Sequence, residues 1–401
     1  MSTLKVDAIR HNSATSDAIT TAADGTCTAK LTSINGGSQL SHRNLVINGA
    51  MLVAQRGVSD VGSIGGYKTV DRFPHYASGL DENVTQSQVD VASGTTPYTL
   101  GFRKAFRITN GNQTSGAQAG DILFGYYNLE SQDVSNSGWN YTSASSFITL
   151  SFWVKSSVAQ NFYGYIRTRD GTEQSRPFQT GSLTANTWTK ITKVIPGDSN
   201  IQIDNNTDVG MGLYFAPFLG ANYTNNSKTV DTWSAYSGSV RTPDNTGTWY
   251  TTNDATFEYT GVQLEVGDTA TSFEHRSIGD ELARCQRYYY VQARYAMAGG
   301  NTGNTVVTDY GTQYNSTVVF TSFKHPVEMR AKPSMECSTV SNGFAKYGGG
   351  SNVAFTSFTL DGITTRANAA VNATVSGTAG HAVMLRTNDV SNAFLAFSAE
   401  I

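Results

Sequence analysis

The stretch from Phe257 to Tyr290, FEYTGVQLEVGDTATSFEHRSIGDELARCQRYYY, changes its hydrophobic period part-way along and so limits what the chain can become. Phe257, Tyr259, Gly261 and Gln263 alternate with Glu258, Thr260 and Val262, the two-residue repeat of a strand. Gly267, Asp268 and Thr269 then supply turn chemistry. Ser277 opens a Ser-x-x-Asp pattern ending at Asp280, in which the hydroxyl can accept from an orphan backbone N–H and start a helix. Ile278, Leu282, Cys285 and Tyr288 or Tyr289 follow at helical spacing. The sequence therefore predicts a β body closing near Phe273, a short helix, and a second β body after it.

Composition fits this reading. Gly 39 against Pro 8, with 11% aromatic residues and abundant Thr, Ser and Asn, describes a turn-rich all-β chain of 401 residues, enough for two or three domains. Charged residues make up only 15% and the formal net charge is −3, which argues against a nucleic-acid partner. No apolar run is long enough to cross a bilayer, so membrane insertion is not expected. MSTLKVDAIRHNSA lacks the apolar core of a signal peptide, so Sec-type export is not indicated. Cys27, Cys285 and Cys337 are few, odd in number and far apart, neither a disulfide framework nor a metal spacing. An uncharged, Thr/Asn/Gly-rich surface without an export signal fits a chain made in the cytoplasm and released by lysis.

Residues 1–43 carry too little apolar surface for a core of their own. They read either as a disordered tail or as an arm that orders against a partner or against copies of itself. Expected strands follow at Asn44–Gly49, Tyr67–Tyr76, Ser87–Val91, Lys104–Thr109, Asp121–Leu129, Phe147–Ser156, Asn161–Arg167, Thr187–Ile195, Asp208–Phe215 and Ala255–Leu264. Ile148, Leu150, Phe152 and Val154 alternate with polar or small residues, and Trp153 takes the other face. Turns at this spacing predict a sandwich. The polar, aromatic-bearing stretch from Leu219 to Thr252 is long enough to expect a functional or interface role. Past the helix, strands are expected near Thr305–Tyr310, Thr317–Phe323, Met335–Ser338, Val353–Leu360, Ile363–Ala367, Ala382–Arg386 and Phe394–Ile401.

Several of these stretches resemble the tail fibre proteins of bacteriophages, those of marine and cyanobacterial phages especially. NLVINGAMLVAQRG with VDRF resembles the opening of a fibre domain, and the Phe257–Tyr290 stretch its close. ITLSFWVKSS, NTWTKITKVIPG and VGMGLYFA resemble inner strands of carbohydrate-binding jelly rolls. HPVEMRAKPSM and FSAEI resemble the domain that follows, and STLKVDAI and SDAITTAADGTCTA the N-terminal arm. The resemblance implies an all-β virion protein: an attachment arm over 1–43, a jelly-roll sandwich over 44–275, a connector helix over 276–292 and a β tip over 293–401. It also implies a homotrimer docked on a tail adaptor or nozzle protein through arm residues such as Leu4, Val6 and Ile9. The distal domains would then face bacterial surface polysaccharide. Leu282, Cys285 and Tyr289 would pack three copies of the helix around a threefold axis, because a lone helix of about a dozen residues is marginal.

Catalytic chemistry finds little support. Asp170 with Glu173, and Asp254 with Glu258, are close carboxylate pairs, but such pairs on a β surface are more simply turn residues than a glycosidase acid and base. The histidines have no metal spacing, and no nucleophile elbow or phosphate loop is present. Asp204-Asn205-Asn206-Thr207-Asp208 places oxygens at alternate positions, but its glycine comes one place late and no glutamate closes the loop. A turn whose side chains bond their own backbone is the better reading. No enzyme activity, metal or cofactor is expected.

Flat rings bind the C–H faces of sugars. Trp153 and Trp188 lie in strong strands and are expected to pack a sheet. Trp139, Trp233, Tyr236, Trp249 and Tyr250 lie in polar loops, where glycan contact and subunit packing are both open. Tyr310, Tyr314 and Tyr347 are the equivalent candidates in the tip.

Overall fold

The computed structural model describes residues 6–10, 19–21, 23, 27–29, 42–295 and 305–401. The fold is all-β, and the described residues include three short helical segments in the sandwich and one longer helix, Ile278–Gln286. In the arm, Ala8–Ile9, Ile19–Thr21 and Cys27–Ala29 pair antiparallel. Leu4 lies outside the described residues; Val6 and Ile9 are exposed.

The body is a sandwich of two antiparallel sheets. One runs in the order Thr189–Pro196, Phe147–Ser156, Thr256–Val266, Lys104–Thr109, Val84–Asp90 and Ser59–Ser63. The facing sheet runs Ser234–Ala235, Gln174–Ser182, Asn161–Thr168, Val209–Leu219, Ile122–Glu130, His75–Ser78 and Gly65–Gly66. Spatial neighbours are often distant in sequence, as in a jelly roll. Ile148, Leu150, Phe152 and Val154 meet Leu213, Phe215, Leu123 and Tyr259 in one large core.

Two expected strands of the body are not strands, and in the tip the expected Ile363–Ala367 falls on the turn between Thr359–Ile363 and Asn368–Thr374. Asn44–Gly49 forms a plug of turns at the mouth of the sandwich. Asn48 holds φ 60° and Met51 φ 58°, a left-handed geometry that ends regular pairing. The Asn44 side chain accepts from Val46 N and Leu264 N, and donates to Val262 O. Gly49 lies so close to the neighbouring strand that a Cβ there would meet Val262 O at 2.0 Å. Likewise, most of Tyr67–Tyr76 is turn, and only His75–Ser78 pairs. Arg72, at φ 72°, breaks the extended run.

The helix starts where the sequence places it: Ser277 Oγ accepts from Asp280 N at 3.2 Å. It ends sooner than the tyrosine run implies. Tyr289–Arg294 is a strand paired with Phe394–Ser398, which also pairs Ser334–Cys337. A seven-stranded sheet completes the tip, in the order Ser351–Phe355, Phe344–Gly348, Ala382–Thr387, Val307–Gln313, Val318–Thr321, Asn368–Thr374 and Thr359–Ile363. Phe323, Phe344, Phe358, Leu385 and Phe397 form its core.

The proposed trimer-facing residues are already covered within one chain. Cys285 packs with Ile47, Val53 and Tyr288, and Leu282 sits partly buried beside them. Tyr289 is 1% exposed under the guanidinium of Arg56, 3.4 Å above its ring. The helix is a wedge between sandwich and tip; Cys285 and Tyr289 have no free face for a threefold axis, and Leu282 is partly covered.

Sandwich and tip meet across a buried polar seam. Arg72 is fully buried, pairs with Glu400, stacks on Tyr288 at 3.5 Å and donates to Asn128 O at 2.8 Å. Arg56 pairs with Glu400 at 3.3 Å. Arg287 pairs with buried Glu130 at 2.9 Å, and Tyr288 donates to the same carboxylate. Removing one partner of a buried ion pair strands the other charge. Glu400→Gln should therefore lower stability by about 3 kcal/mol in chemical denaturation followed by fluorescence. A loss below about 0.5 kcal/mol, the range of a surface pair, would contradict the seam's role.

Candidate functional site

The central strands of the seven-stranded sandwich sheet, ILFGYYNLE and VGMGLYFAPFL, are apolar on both faces. Leu123, Tyr127, Leu129, Met211, Leu213 and Phe215 point into the core. Ile122, Phe124, Tyr214, Ala216 and Leu219 point outward and join Tyr165, Tyr126, Tyr223 and Tyr236 in a second cluster. Register makes this cluster a row. Tyr76 lies opposite Phe124, Tyr126 opposite Tyr214, and Tyr214 opposite Tyr165. The Tyr165 and Tyr214 rings stack at 4.3 Å and 6°, Tyr126 and Tyr214 at 5.9 Å and 18°, and Tyr76 and Phe124 at 5.4 Å and 26°.

Gly212 stands between Asn128 and Arg167 in this floor, and its missing side chain leaves room for the Tyr214 ring. A Cβ on Gly212 would meet that ring at 2.6 Å. The resulting hollow has a volume of about 310 Å³. Tyr76, Phe124, Tyr126, Tyr165 and Tyr214 line it, with Asn128 and the arginines 167, 169 and 241.

The Leu219–Thr252 stretch builds one wall. Ala221–Tyr223 is a single helical turn, and Thr224 and Thr242 form a parallel bridge. Arg241 N donates to Tyr223 O at 2.8 Å. That fixes the Arg241 guanidinium 4.9 Å from the Tyr223 ring and 5.9 Å from that of Phe124. Tyr236 lies under the Arg167 guanidinium at 3.6 Å. Arg167 also pairs with Glu173 at 2.5 Å, and Arg169 reaches the same carboxylate at 3.5 Å. Lys228 is buried and bonds the hydroxyls of Ser175 at 3.0 Å and Ser234 at 2.7 Å. Burial pulls its pKa down.

Burial, with Tyr214 nearby, pushes the Tyr126 hydroxyl up to about 12. Burial raises Tyr165 and Tyr214 as well. The floor therefore stays neutral and presents hydroxyls as donors and acceptors. The buried Tyr165 hydroxyl makes no hydrogen bond of good geometry, and the Arg241 guanidinium lies beside it.

Most residues selected in the sequence as glycan contacts lie elsewhere. Trp139, Trp249 and Tyr250 are at most 3% exposed and belong to the sandwich core. Their loops fold back over its ends: Trp139 Nε1 donates to Ser146 O, Trp249 Nε1 to Thr256 O, and Tyr250 stacks on Phe218 at 4.0 Å. Trp233 is half-buried against the core and donates to Pro196 O at 2.8 Å. Tyr236 does reach the hollow's rim, through Arg167. Tyr310 and Tyr314 are 69% and 67% exposed in the tip. Tyr310 and the half-exposed Tyr347 both pair with Met384, forming an open row across the tip sheet. Trp153 and Trp188 pack against the Phe102 cluster as expected. The hollow's own aromatics were passed over in sequence because they sit in strands. Their signal is an aromatic at every second position of strands whose other face is also apolar.

The carboxylate pairs are engaged structurally. Asp170 accepts from Ser131 Oγ and Asp204 N, each at 2.8 Å. Glu258 is buried between Arg107 at 2.8 Å and Lys155 at 3.0 Å, and Asp254 occupies a turn at φ 56°. In the Asp204–Asp208 run, Asn206 Oδ1 accepts from Asp208 N at 2.9 Å, the self-bonded turn expected there. Among the described residues no group of three or more His, Cys, Asp or Glu could hold a metal ion.

No family model and no curated protein matches this chain. Among solved structures, the enzymatically active domain of tailspike protein 4 from bacteriophage CBA120 is similar at 11% identity and a TM-score of 0.28. That match covers 56% of this chain and 21% of the tailspike chain, so it spans about a fifth of that protein. A putative sugar-binding protein from Bacteroides thetaiotaomicron aligns at 9% identity and a TM-score of 0.29, over 56% of this chain and all of its own. The N-terminal cellulose-binding domain of a Cellulomonas fimi β-1,4-glucanase aligns at 12% and 0.27, over 53% and 99%. Likeness at this level transfers no ligand.

His75 underlies the row, next to Tyr76. It is fully buried, with the Gln86 amide 2.8 Å from Nδ1. Burial lowers its pKa to about 4. A depressed histidine contributes stability that is fully present above about pH 6.5 and is lost as pH falls through 4. The wild type should lose roughly 2–3 kcal/mol over that interval relative to His75→Gln, which cannot titrate there. Parallel pH–stability curves for the two proteins would contradict the buried neutral imidazole.

Proposed function

We propose that this chain is a receptor-binding protein of a bacteriophage tail fibre, whose sandwich adheres to bacterial surface glycans through the tyrosine-floored hollow. One observation carries the reading: Tyr76, Phe124, Tyr126, Tyr214 and Tyr165 form a continuous row across four strands, partly open to solvent and edged by fixed arginines. A buried core needs no such row on its outer face. Pyranose rings present apolar C–H faces that stack on tyrosine, and hydroxyl and guanidinium groups at the rim fix the sugar hydroxyls. No bond is made or broken; the event is reversible adhesion.

The phage assignment rests on the resemblance of the arm, the Asn44–Gly57 opening and the Phe257–Tyr290 close to tail fibre proteins. In this reading the arm docks on a tail adaptor or nozzle protein, and the chain assembles as a homotrimer on the virion. Trimeric display gives avidity to sites that are weak one by one. Since Cys285 and Tyr289 are buried and Leu282 is partly covered within one chain, the threefold contact in this reading uses mainly other surfaces. Sedimentation of the intact protein should give the mass of three chains, and a monomer at micromolar concentration would contradict the trimer.

A second reading makes the chain a structural virion appendage. The open Tyr310–Met384–Tyr347 row favours it, because an apolar tip face also suits packing against another virion protein. A bacterial glycan array separates the two. Under the adhesion reading the intact protein binds a defined subset, and Tyr76→Ala or Tyr126→Ala weakens binding about tenfold without unfolding the chain. Absence of binding across the array would favour the appendage.

A further inference from the structure

We infer that the saccharide held in this hollow is acidic, with its anionic group taken by Arg169 and Arg241 while a ring lies on the Tyr76–Tyr126 floor. The inference rests on the adhesion reading and adds the charge class of the ligand to it.

The charges around the hollow do not balance. Three arginines line it, and among the described residues the one carboxylate paired with any of them is Glu173. Glu173 sits close against Arg167 at 2.5 Å and more loosely against Arg169 at 3.5 Å. Among the described residues Arg241 has no carboxylate within 4 Å; its Nε donates to Gly238 O at 3.0 Å. Glu400 also acts on Tyr126 but is paired with Arg56 and Arg72, so three guanidiniums and one carboxylate leave two positive charges in excess at the hollow. Lys228 does not line the hollow; it is buried beneath the loop on Ser175 and Ser234. This excess is concentrated on one face of a chain whose net charge is −3.

Fixed cations without counter-ions on an aromatic floor form a focused positive field. A neutral glycan would leave that field unanswered and would partly desolvate the guanidiniums, at a cost in affinity. A carboxylate or phosphate answers it, because the guanidinium fork matches an oxyanion with two parallel hydrogen bonds. Arg169 keeps 37% of its side chain exposed, so it can reach a ligand. The loop bonds at Tyr223 and Gly238 hold Arg241 in place before binding, which limits the ordering cost.

The test uses the intact protein and an array of purified bacterial polysaccharides, acidic and neutral. Each binder is measured again after carboxyl reduction and, separately, after removal of phosphate with hydrofluoric acid. The expected result is that binders are acidic and that one of the two treatments weakens binding about tenfold or more, which identifies carboxylate or phosphate as the group held. Arg241→Gln and Arg169→Gln, checked for unchanged thermal unfolding, should each weaken binding to a similar degree. If neutral glycans bind as well as acidic ones, or both arginine variants bind normally, the acidic assignment falls while adhesion stands. If nothing binds, the adhesion reading falls and takes this inference with it.

Discussion

The structure depends on two adjacent strands, Ile122–Glu130 and Val209–Leu219, that carry apolar side chains on both faces. A sandwich needs only the inner face. Leu123, Leu129, Met211, Leu213 and Phe215 supply it, and removing them from water is the main driving force for the body. The outer row of Phe124, Tyr126 and Tyr214 adds little to that core. It must be covered by the chain, by a partner or by a ligand. The Leu219–Thr252 stretch covers one side, burying Tyr165 and Tyr214, and leaves Tyr76 and Tyr126 partly open. The half-covered row is the hollow.

The seam between sandwich and tip holds the two bodies in one arrangement through buried ion pairs. Arg72, Arg56 and Arg287 lie on tyrosine rings or against buried carboxylates, within one connected network that includes Glu400 and Glu130. Asn48 ties the plug to it, donating from its amide to Val53 O and Asp71 O at 2.9 Å each. The NLVINGAMLVAQRG and VDRF stretches thus contribute to the joint between the two bodies. The network fixes their relative position through hydrogen-bonded ion pairs, whose geometry is stricter than that of apolar contact.

The fold was largely legible in the sequence because a period of two survives wherever one face is polar. Phe147–Ser156 and Lys104–Thr109 have the expected bounds, and Ser277 caps the helix as its spacing implies. The strand at Gln174–Ser182 was missed: QSRPFQTGS carries a proline and little apolar alternation. The site was mostly illegible. Trp139, Trp249 and Tyr250 sit in polar sequence, yet their loops close the ends of the sandwich and bury the rings. The true floor hides in strands that read as plain core, because local periodicity cannot say which of two apolar faces meets the other sheet. That distinction comes from pairing between residues far apart in sequence, such as Tyr126 with Tyr214 and Tyr214 with Tyr165. Arg241 enters through a loop and carries no local signal.

The central claim is that ligand contact occurs on the outer face of the sandwich sheet and not on the tip. Hydrogen–deuterium exchange of the intact protein, with and without saturating host polysaccharide, tests it directly. The account predicts slower exchange in residues 122–130 and 220–245, with the tip strands at 307–321 and 344–348 unchanged. Protection confined to those tip strands, with the sandwich face unaffected, would contradict it.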